Sequence, residues 1–80
     1  MVNSEAVRKI EEFVSGVDTS REAADMIEVA MDDSYPDDEY VQQTVEMLAM
    51  YQPDGGDFLF DAATMQQRLK NTMQYMRELG

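Results

Sequence analysis

Apolar residues recur every three or four positions through most of the chain, which is the spacing of amphipathic α-helices rather than the alternation of strands. The first segment with this spacing places on one helical face Val7, Ile10, Phe13 and Val14. Gly16 follows this segment, at the position where helices commonly end in a left-handed conformation that glycine adopts without strain. The pattern therefore predicts a first helix over residues 4–15.

A second helix is predicted over residues 19–31 from its start signal and its apolar stripe. Thr19 and Glu22 match a capping box, in which the hydroxyl and the carboxylate each accept a hydrogen bond from an otherwise unpaired backbone N–H. The predicted inward-facing residues are Ala23, Ala24, Met26, Ile27, Ala30 and Met31.

Two prolines and a capping carboxylate bound the third and fourth helices. Pro36 suits a first turn, where its missing N–H has no helical partner, and Pro53 ends the pattern, so a third helix is predicted over 35–51. Asp61 is a good N-cap and predicts a fourth helix over 61–78. The predicted inward faces consist of Tyr40, Val41, Thr44, Val45 and Leu48 in the third helix and Ala62, Met65, Leu69, Thr72, Met73 and Met76 in the fourth.

These segments predict one all-α domain over residues 1–80, a compact bundle of four short antiparallel helices without a sheet. Short connections between consecutive helices favour antiparallel neighbours. A chain of 80 residues forms a single small domain, and such a domain buries only about 60% of the surface that its unfolded chain exposes. The core therefore needs most of the apolar side chains.

Net charge and missing residue types narrow the classes of function. The chain carries a net charge of -11 at neutral pH, which repels nucleic-acid phosphates and anionic lipid headgroups. It contains no His and no Cys, and no Asp or Glu lies within a predicted apolar stripe, so a catalytic base or nucleophile is not apparent. No apolar run is long enough to span a membrane. We therefore expect a soluble, cytoplasmic protein that is not an enzyme, needs no cofactor, and contacts neither membranes nor nucleic acids directly.

Eight of the seventeen carboxylates lie within residues 22–39, the acidic segment, and no basic residue separates them. Charges of one sign steer partners of the opposite sign. We therefore predict that this segment binds a basic surface of a partner protein through Glu28, Asp32, Asp33, Asp37, Asp38 and Glu39. The alternative is that the carboxylates mimic nucleic-acid phosphates and inhibit a DNA- or RNA-binding protein. Repulsion within the segment predicts raised carboxylate pKa values.

Methionine and tyrosine provide a candidate apolar contact surface. Most of the eight methionines fall at inward positions, where flexible thioethers fill irregular gaps in a core. The residues of interest outside the predicted stripes are Met47, Met50, Tyr51 and Tyr75. Such side chains on an exposed face suit an adaptable protein interface. We predict that these four contact a partner or a second copy of the chain in a homodimer; the alternative is an unusually wide core.

One serine motif resembles that of a known family. Asp33-Ser34-Tyr35 is similar to the Asp-Ser-Leu motif on which acyl carrier proteins attach phosphopantetheine, although the Leu is absent and Pro36 follows. The resemblance implies a carrier-protein-like domain modified at Ser34 as a further alternative. The size, acidity and predicted helicity are similar to those of bacteriocin immunity proteins and several phage-encoded inhibitors, without a shared motif. This similarity in size, acidity and predicted helicity implies an inhibitor, immunity-type protein, regulator or chaperone.

Two groups of carboxylates are candidate cation ligands. In the loop over 54–61, the third and fifth positions are Gly56 and Phe58, which lack the side-chain oxygens that an EF-hand loop needs there. Turn glycines and a helix cap account for this loop instead. The carboxylates around residues 32–38 have no fixed geometry and are expected to bind Mg²⁺ or Ca²⁺ only weakly. We therefore predict no metal site.

Overall fold

Four α-helices contain most of the residues that the computed structural model describes, which are 4–52 and 60–79. The helices are α1 (Ser4–Ser15), α2 (Arg21–Ser34), α3 (Glu39–Ala49) and α4 (Ala62–Leu79). Within these two ranges there is no β-strand, and Tyr51 and Phe60 form an isolated parallel bridge. The predicted all-α bundle of four helices is confirmed.

The helices form a closed ring in which α1 packs on α2 and α4, and α3 packs on the same two helices. Arg21 at the start of α2 donates a hydrogen bond to the carbonyl of Leu48 near the end of α3. Gln42 near the start of α3 donates to the carboxylate of Asp32 near the end of α2 over 3.1 Å. These two helices therefore run antiparallel, as their short connection predicts.

The first helix has the predicted bounds and ends at the predicted glycine. Gly16 has a φ of 87°, a conformation that residues with a Cβ rarely adopt. Its N–H donates to the carbonyl of Phe13, and the N–H of Val17 donates to that of Glu12, so carbonyls of the last turn are satisfied. The buried face of α1 consists of Ala6, Ile10 and Phe13, with Val7 and Val14 packed against the core.

α2 begins at Arg21, two residues after the start of the predicted range over 19–31, and its N-cap differs from the predicted one by one residue. Ser20, not Thr19, is the N-cap, since Ser20 Oγ accepts a hydrogen bond from the N–H of Ala23 over 3.1 Å. The carbonyl of Thr19 instead accepts a hydrogen bond from the hydroxyl of Tyr51. The predicted capping box is therefore wrong, since the third residue after the cap is Ala23 and the N–H of Ser20 donates to Asp18 Oδ1, although a hydroxyl cap is present.

The connection between α2 and α3 also differs from the prediction. α2 continues to Ser34, beyond the predicted end at residue 31. α3 begins at Glu39, later than the predicted start at residue 35, because the N-cap is Asp38, whose Oδ1 accepts a hydrogen bond from the N–H of Val41 over 3.0 Å. Residues 35–38 thus form a turn outside both helices.

The last helix lies within one residue of its predicted bounds. Asp61 caps it as predicted, with Oδ1 accepting a hydrogen bond from the N–H of Thr64 over 2.9 Å. Its inward face is confirmed, and the buried residues of α4 are Met65, Leu69, Thr72, Met73 and Met76. This helix therefore presents to α1 and α3 a buried face that is apolar except at Thr72.

A polar seam formed by Tyr40, Thr44, Arg68 and Thr72 joins α3 to α4. Thr44 and Thr72 are the buried polar residues of the described chain, and their hydroxyl oxygens lie 2.8 Å apart. Arg68 Nε donates to Thr44 Oγ1 over 2.8 Å, and its Nη2 donates to the carbonyl of Tyr40 over 3.1 Å. The guanidinium carbon lies 4.1 Å from the centroid of the Tyr40 ring. Because these groups have partners, their burial is compatible with a stable core.

Candidate partner-binding surface

Charge divides the bundle into two halves. Residues 21–49, which form α2, the turn and α3, contain nine carboxylates and one basic residue, Arg21. The helices α1 and α4 together contain four carboxylates and five basic residues. Because α2 and α3 pack side by side, the negative potential is concentrated on the α2–α3 half of the molecule.

A row of carboxylates follows the edge of α2 that faces α3. Asp25 forms an ion pair with Arg21, with 2.8 Å between Oδ1 and Nη2. Glu28 is half-buried, and its Oε1 is buried without a hydrogen-bond partner in the described part of the chain. Asp32 is exposed and accepts the hydrogen bond from Gln42. Arg21 is the basic residue that neutralises part of this row.

Three further carboxylates flank the turn between α2 and α3: Asp33, Asp37 and Glu39. All three are exposed, and none has an ion pair or a side-chain hydrogen bond with another residue in the ranges 4–52 and 60–79. Asp33 also lies in the last turn of α2, where the negative end of the helix dipole disfavours a carboxylate. The fold gains no stability from the charge of Asp33.

Asp38 and Tyr75, both predicted to contact a partner, contact each other. Asp38 Oδ2 accepts a hydrogen bond from the Tyr75 hydroxyl over 2.8 Å, while Oδ1 caps α3. The hydrogen bond from the Val41 N–H, assisted by that from Tyr75, holds the pKa of Asp38 below its ordinary value, opposite to the direction predicted from repulsion. The same pairing raises the pKa of the Tyr75 hydroxyl. Its ring centroid lies 4.6 Å from that of Tyr40, so the pair holds α3 against α4.

The prediction that Tyr51 lies on an exposed face is wrong. Its side chain is 1% exposed. The ring meets Phe13 of α1 edge to face, with 5.2 Å between the centroids, and the hydroxyl donates to the carbonyl of Thr19. Because α3 ends at Ala49, Tyr51 no longer follows the helical wheel from which its exposed position was predicted.

The two predicted methionines of α3 differ in accessibility. Met47 is half-buried and packs against the core, whereas Met50 is 45% exposed. Met50 is the C-cap of α3, at the end of the helix opposite to the acidic turn over 35–38. The structure therefore places Met50 away from the acidic turn, whereas Tyr75 contacts Asp38.

Two exposed apolar residues of α2 escaped the sequence-based prediction. Met26 is 47% exposed although it was predicted to face inward, and Val29, which belonged to no predicted set, is 60% exposed. At 100° per residue, Val29 lies opposite the buried Ile27 and Met31. A helical wheel drawn with the observed bounds of α2 therefore identifies Val29 as an exposed apolar residue.

The carboxylates with shifted pKa values outside the acidic segment belong to helix starts. Hydrogen bonds from Ser20 lower the pKa of Asp18, just before α2. Hydrogen bonds from Thr64 lower the pKa of Asp61, the cap of α4. Together with Asp38, these carboxylates stabilise the starts of helices.

Ser34 and the candidate cation ligands have no arrangement that indicates a modified or metal-binding site. Ser34 is the last residue of α2, whereas the resemblance to carrier proteins requires a serine at a helix start. Among the described residues, no group of three or more Asp, Glu, His or Cys is placed to hold a metal ion. The Gly-rich part of the loop over 54–61 lies outside the described residues. None of the described helices is long and apolar enough to cross a bilayer.

Comparison with known proteins adds no functional information. No known protein family matches the chain, and no curated protein or solved structure is significantly similar to it. The charge and exposure of the α2–α3 half therefore provide the basis for a functional proposal.

Proposed function

We propose that this protein is a small binding module without enzymatic activity that docks on a basic surface of a partner protein. It would act as an inhibitor, immunity-type protein, regulator or chaperone. The observation that supports this proposal is the imbalance of the α2–α3 half, where nine carboxylates accompany one basic residue. Exposed members of this set at or beside the turn are Asp32, Asp33, Asp37 and Glu39.

Electrostatic steering is the physical means of recognition. Exposed charges act over a Debye length of about 10 Å at 0.1 M salt, so neighbouring carboxylates act together on an approaching cation. Such a field raises association rates by roughly 10- to 1,000-fold over those of a neutral surface, and salt reduces the gain. The dissociation rate depends on the direct contacts made after docking.

Reversal of charge at the turn tests this proposal. The turn variant combines Asp32→Lys, Asp33→Lys and Asp37→Lys, and it retains Asp38 because that residue caps α3. The matched control combines Glu11→Lys, Glu78→Lys, Gln67→Lys and Gln74→Lys, which are exposed positions on the α1–α4 half. Two Glu-to-Lys and two Gln-to-Lys changes raise the net charge by as much as the three Asp-to-Lys changes, so the net charges of the two variants are equal.

Each form is immobilised and exposed to a lysate of the organism that encodes it, at low and at high salt. We expect the wild-type chain and the control to retain the same basic protein at low salt, and the turn variant to retain it at least about tenfold less. Equal retention by the two variants would contradict the proposal. Displacement of the module from its partner by DNA or RNA would favour the alternative of nucleic-acid mimicry.

A further inference from the structure

The outward face of α2 combines exposed apolar side chains with carboxylates. Met26 and Val29 are 47% and 60% exposed, although a chain of this size has little apolar surface to spare. They are three residues apart and therefore lie on adjacent turns of one helical face. Glu22 and Asp33, both exposed, extend that face toward the two ends of the helix. Since α2 has 14 residues, its outward face is about 21 Å long, and Met26 and Val29 form an apolar strip in the middle of that face.

This apolar strip continues into a groove between α1 and α2. The groove has a volume of about 180 Å³ and is lined by Glu5, Ala6, Lys9, Met26 and Ala30. Lys9 is the basic residue at its rim, and its ammonium lies 3.5 Å from a carboxylate oxygen of Glu12 and 3.7 Å from one of Asp18. An approaching cation therefore meets a positive charge that is already neutralised.

We propose that this face of α2, together with the groove beside it, is the docking site for a basic amphipathic helix of the partner protein. Met26 and Val29 contact the apolar side of that helix, and the carboxylates of α2 pair with its Lys and Arg side chains. The inference rests on the proposed function and adds to it the structural class of the partner.

Charge complementarity favours a basic amphipathic helix as the partner of this site. A second copy of the chain would bring a further net charge of -11 toward the same carboxylates, and an anionic membrane is repelled in the same way. A basic segment without apolar residues would leave Met26 and Val29 in water and gain nothing from their burial. A helix fits because the exposed residues follow a helix axis, and ridges of one helix pack into grooves of another.

Two synthetic peptides separate the apolar contribution from the charge. The first is an amphipathic helix of Leu and Lys with the same length as α2. The second has the same composition in a scrambled order, so that its charge is equal and its apolar face is lost. Binding of each peptide to the full chain is measured by titration calorimetry at low and at high salt.

Two double variants identify the residues that contact the apolar face. Met26→Gln with Val29→Gln removes the apolar strip of α2. Val17→Gln with Leu79→Gln is the matched control, since these side chains are 74% and 52% exposed and lie outside α2. Circular dichroism verifies that both variants keep the helix content of the wild-type chain.

We expect the amphipathic peptide to bind the wild-type chain and the control equally, and to bind the strip variant about tenfold or more weakly. The scrambled peptide should bind all three forms equally and more weakly than the amphipathic peptide. Amide hydrogen exchange of the wild-type chain provides a test that needs no variant. The bound amphipathic peptide should slow the exchange of backbone amides in α1 and α2 more than in α3 and α4.

Equal binding of the two peptides, undiminished binding by the strip variant, or no binding at all would overturn the inference of a helix-docking site. Failure of the proposed function gives a different result. In that case the Asp32, Asp33 and Asp37 reversal leaves the affinity for both peptides, and its salt dependence, unchanged.

Discussion

The polar seam between α3 and α4 and the outward face of α2 use polar side chains in opposite ways. In the seam, the hydroxyls of Thr44 and Thr72 lie 2.8 Å apart, and Arg68 Nε donates to the first of them. On the outward face of α2, Glu22 and Asp33 are exposed without an ion pair in the described chain. Polar groups with partners hold helices together, whereas exposed carboxylates without partners provide a field that folding does not need. This difference separates the residues that build the bundle from those available for recognition.

The largest effect is expected from breaking the seam. Arg68→Met removes the charged hydrogen bonds to Thr44 Oγ1 and to the carbonyl of Tyr40, and it removes the guanidinium over the Tyr40 ring. We expect the free energy of unfolding to fall by about 1–3 kcal/mol. The control Lys70→Met, at an exposed position of the same helix, should change it by less than about 0.5 kcal/mol. Urea unfolding measures both, and similar midpoints for the two variants would show that the seam contributes little.

Acid is expected to have the next largest effect, through the capping carboxylates. The pKa values of Asp38 and Asp61 lie below the ordinary 3.8, because the backbone N–H groups of Val41 and Thr64 donate to them. In the unfolded chain these pKa values return to the ordinary value, so the unfolded state binds more protons as the pH falls. The stability that the caps contribute is therefore present above pH 3.8 and is lost as the pH falls through the folded-state values.

Asp38→Asn tests the pH dependence. An amide caps a helix about as well as a carboxylate but does not titrate, so the variant should lose less stability on acidification than the wild-type chain. Thermal unfolding from roughly pH 5 to pH 2 measures the difference. Parallel curves for the two forms would mean that the hydrogen bonds of Asp38 do not favour its ionised state.

The smallest effect is expected on the outward face of α2. Asp33→Lys places a cation in the last turn, near the negative end of the helix dipole, and should stabilise the fold by about 0.3–1 kcal/mol. Glu22→Lys is the matched comparison, because it places a cation in the first turn, near the positive end of the same helix dipole. It should destabilise the fold by a similar amount. Chemical unfolding compares the two. A destabilising effect of Asp33→Lys would place Asp33 among the residues that build the bundle.

Local signals predicted the helices and most of their ends, but not the choice between adjacent caps. α1 has its predicted bounds because apolar spacing and Gly16 act within the helix itself. Asp61 caps α4 for the same local reason. At α2, however, Thr19 and Ser20 are both competent caps, and the carbonyl of Thr19 accepts a hydrogen bond from Tyr51. The sequence pattern does not indicate that Tyr51, which is distant along the chain, lies beside the start of α2.

The candidate surface was predicted in part for the same reason. The exposure of Asp32, Asp33, Asp37 and Glu39 agrees with the prediction, because short charged side chains outside an apolar stripe stay in water. Asp38 differs from them since Tyr75, which is 37 residues away, comes within hydrogen-bond distance when α4 packs on α3. A pattern in charge alone treats all five carboxylates as equivalent.

The sequence by itself determined the all-α class and the uneven division of charge, because these depend on apolar spacing and on composition. Only the tertiary structure decided that Tyr51 is buried against Phe13 and that Met26 and Val29 remain exposed. The physical reason is that the exposure of a side chain depends on which neighbouring helix covers it. Periodicity shows that a helix has an apolar face, whereas the width of that face that becomes buried is set by helices packing from distant parts of the chain.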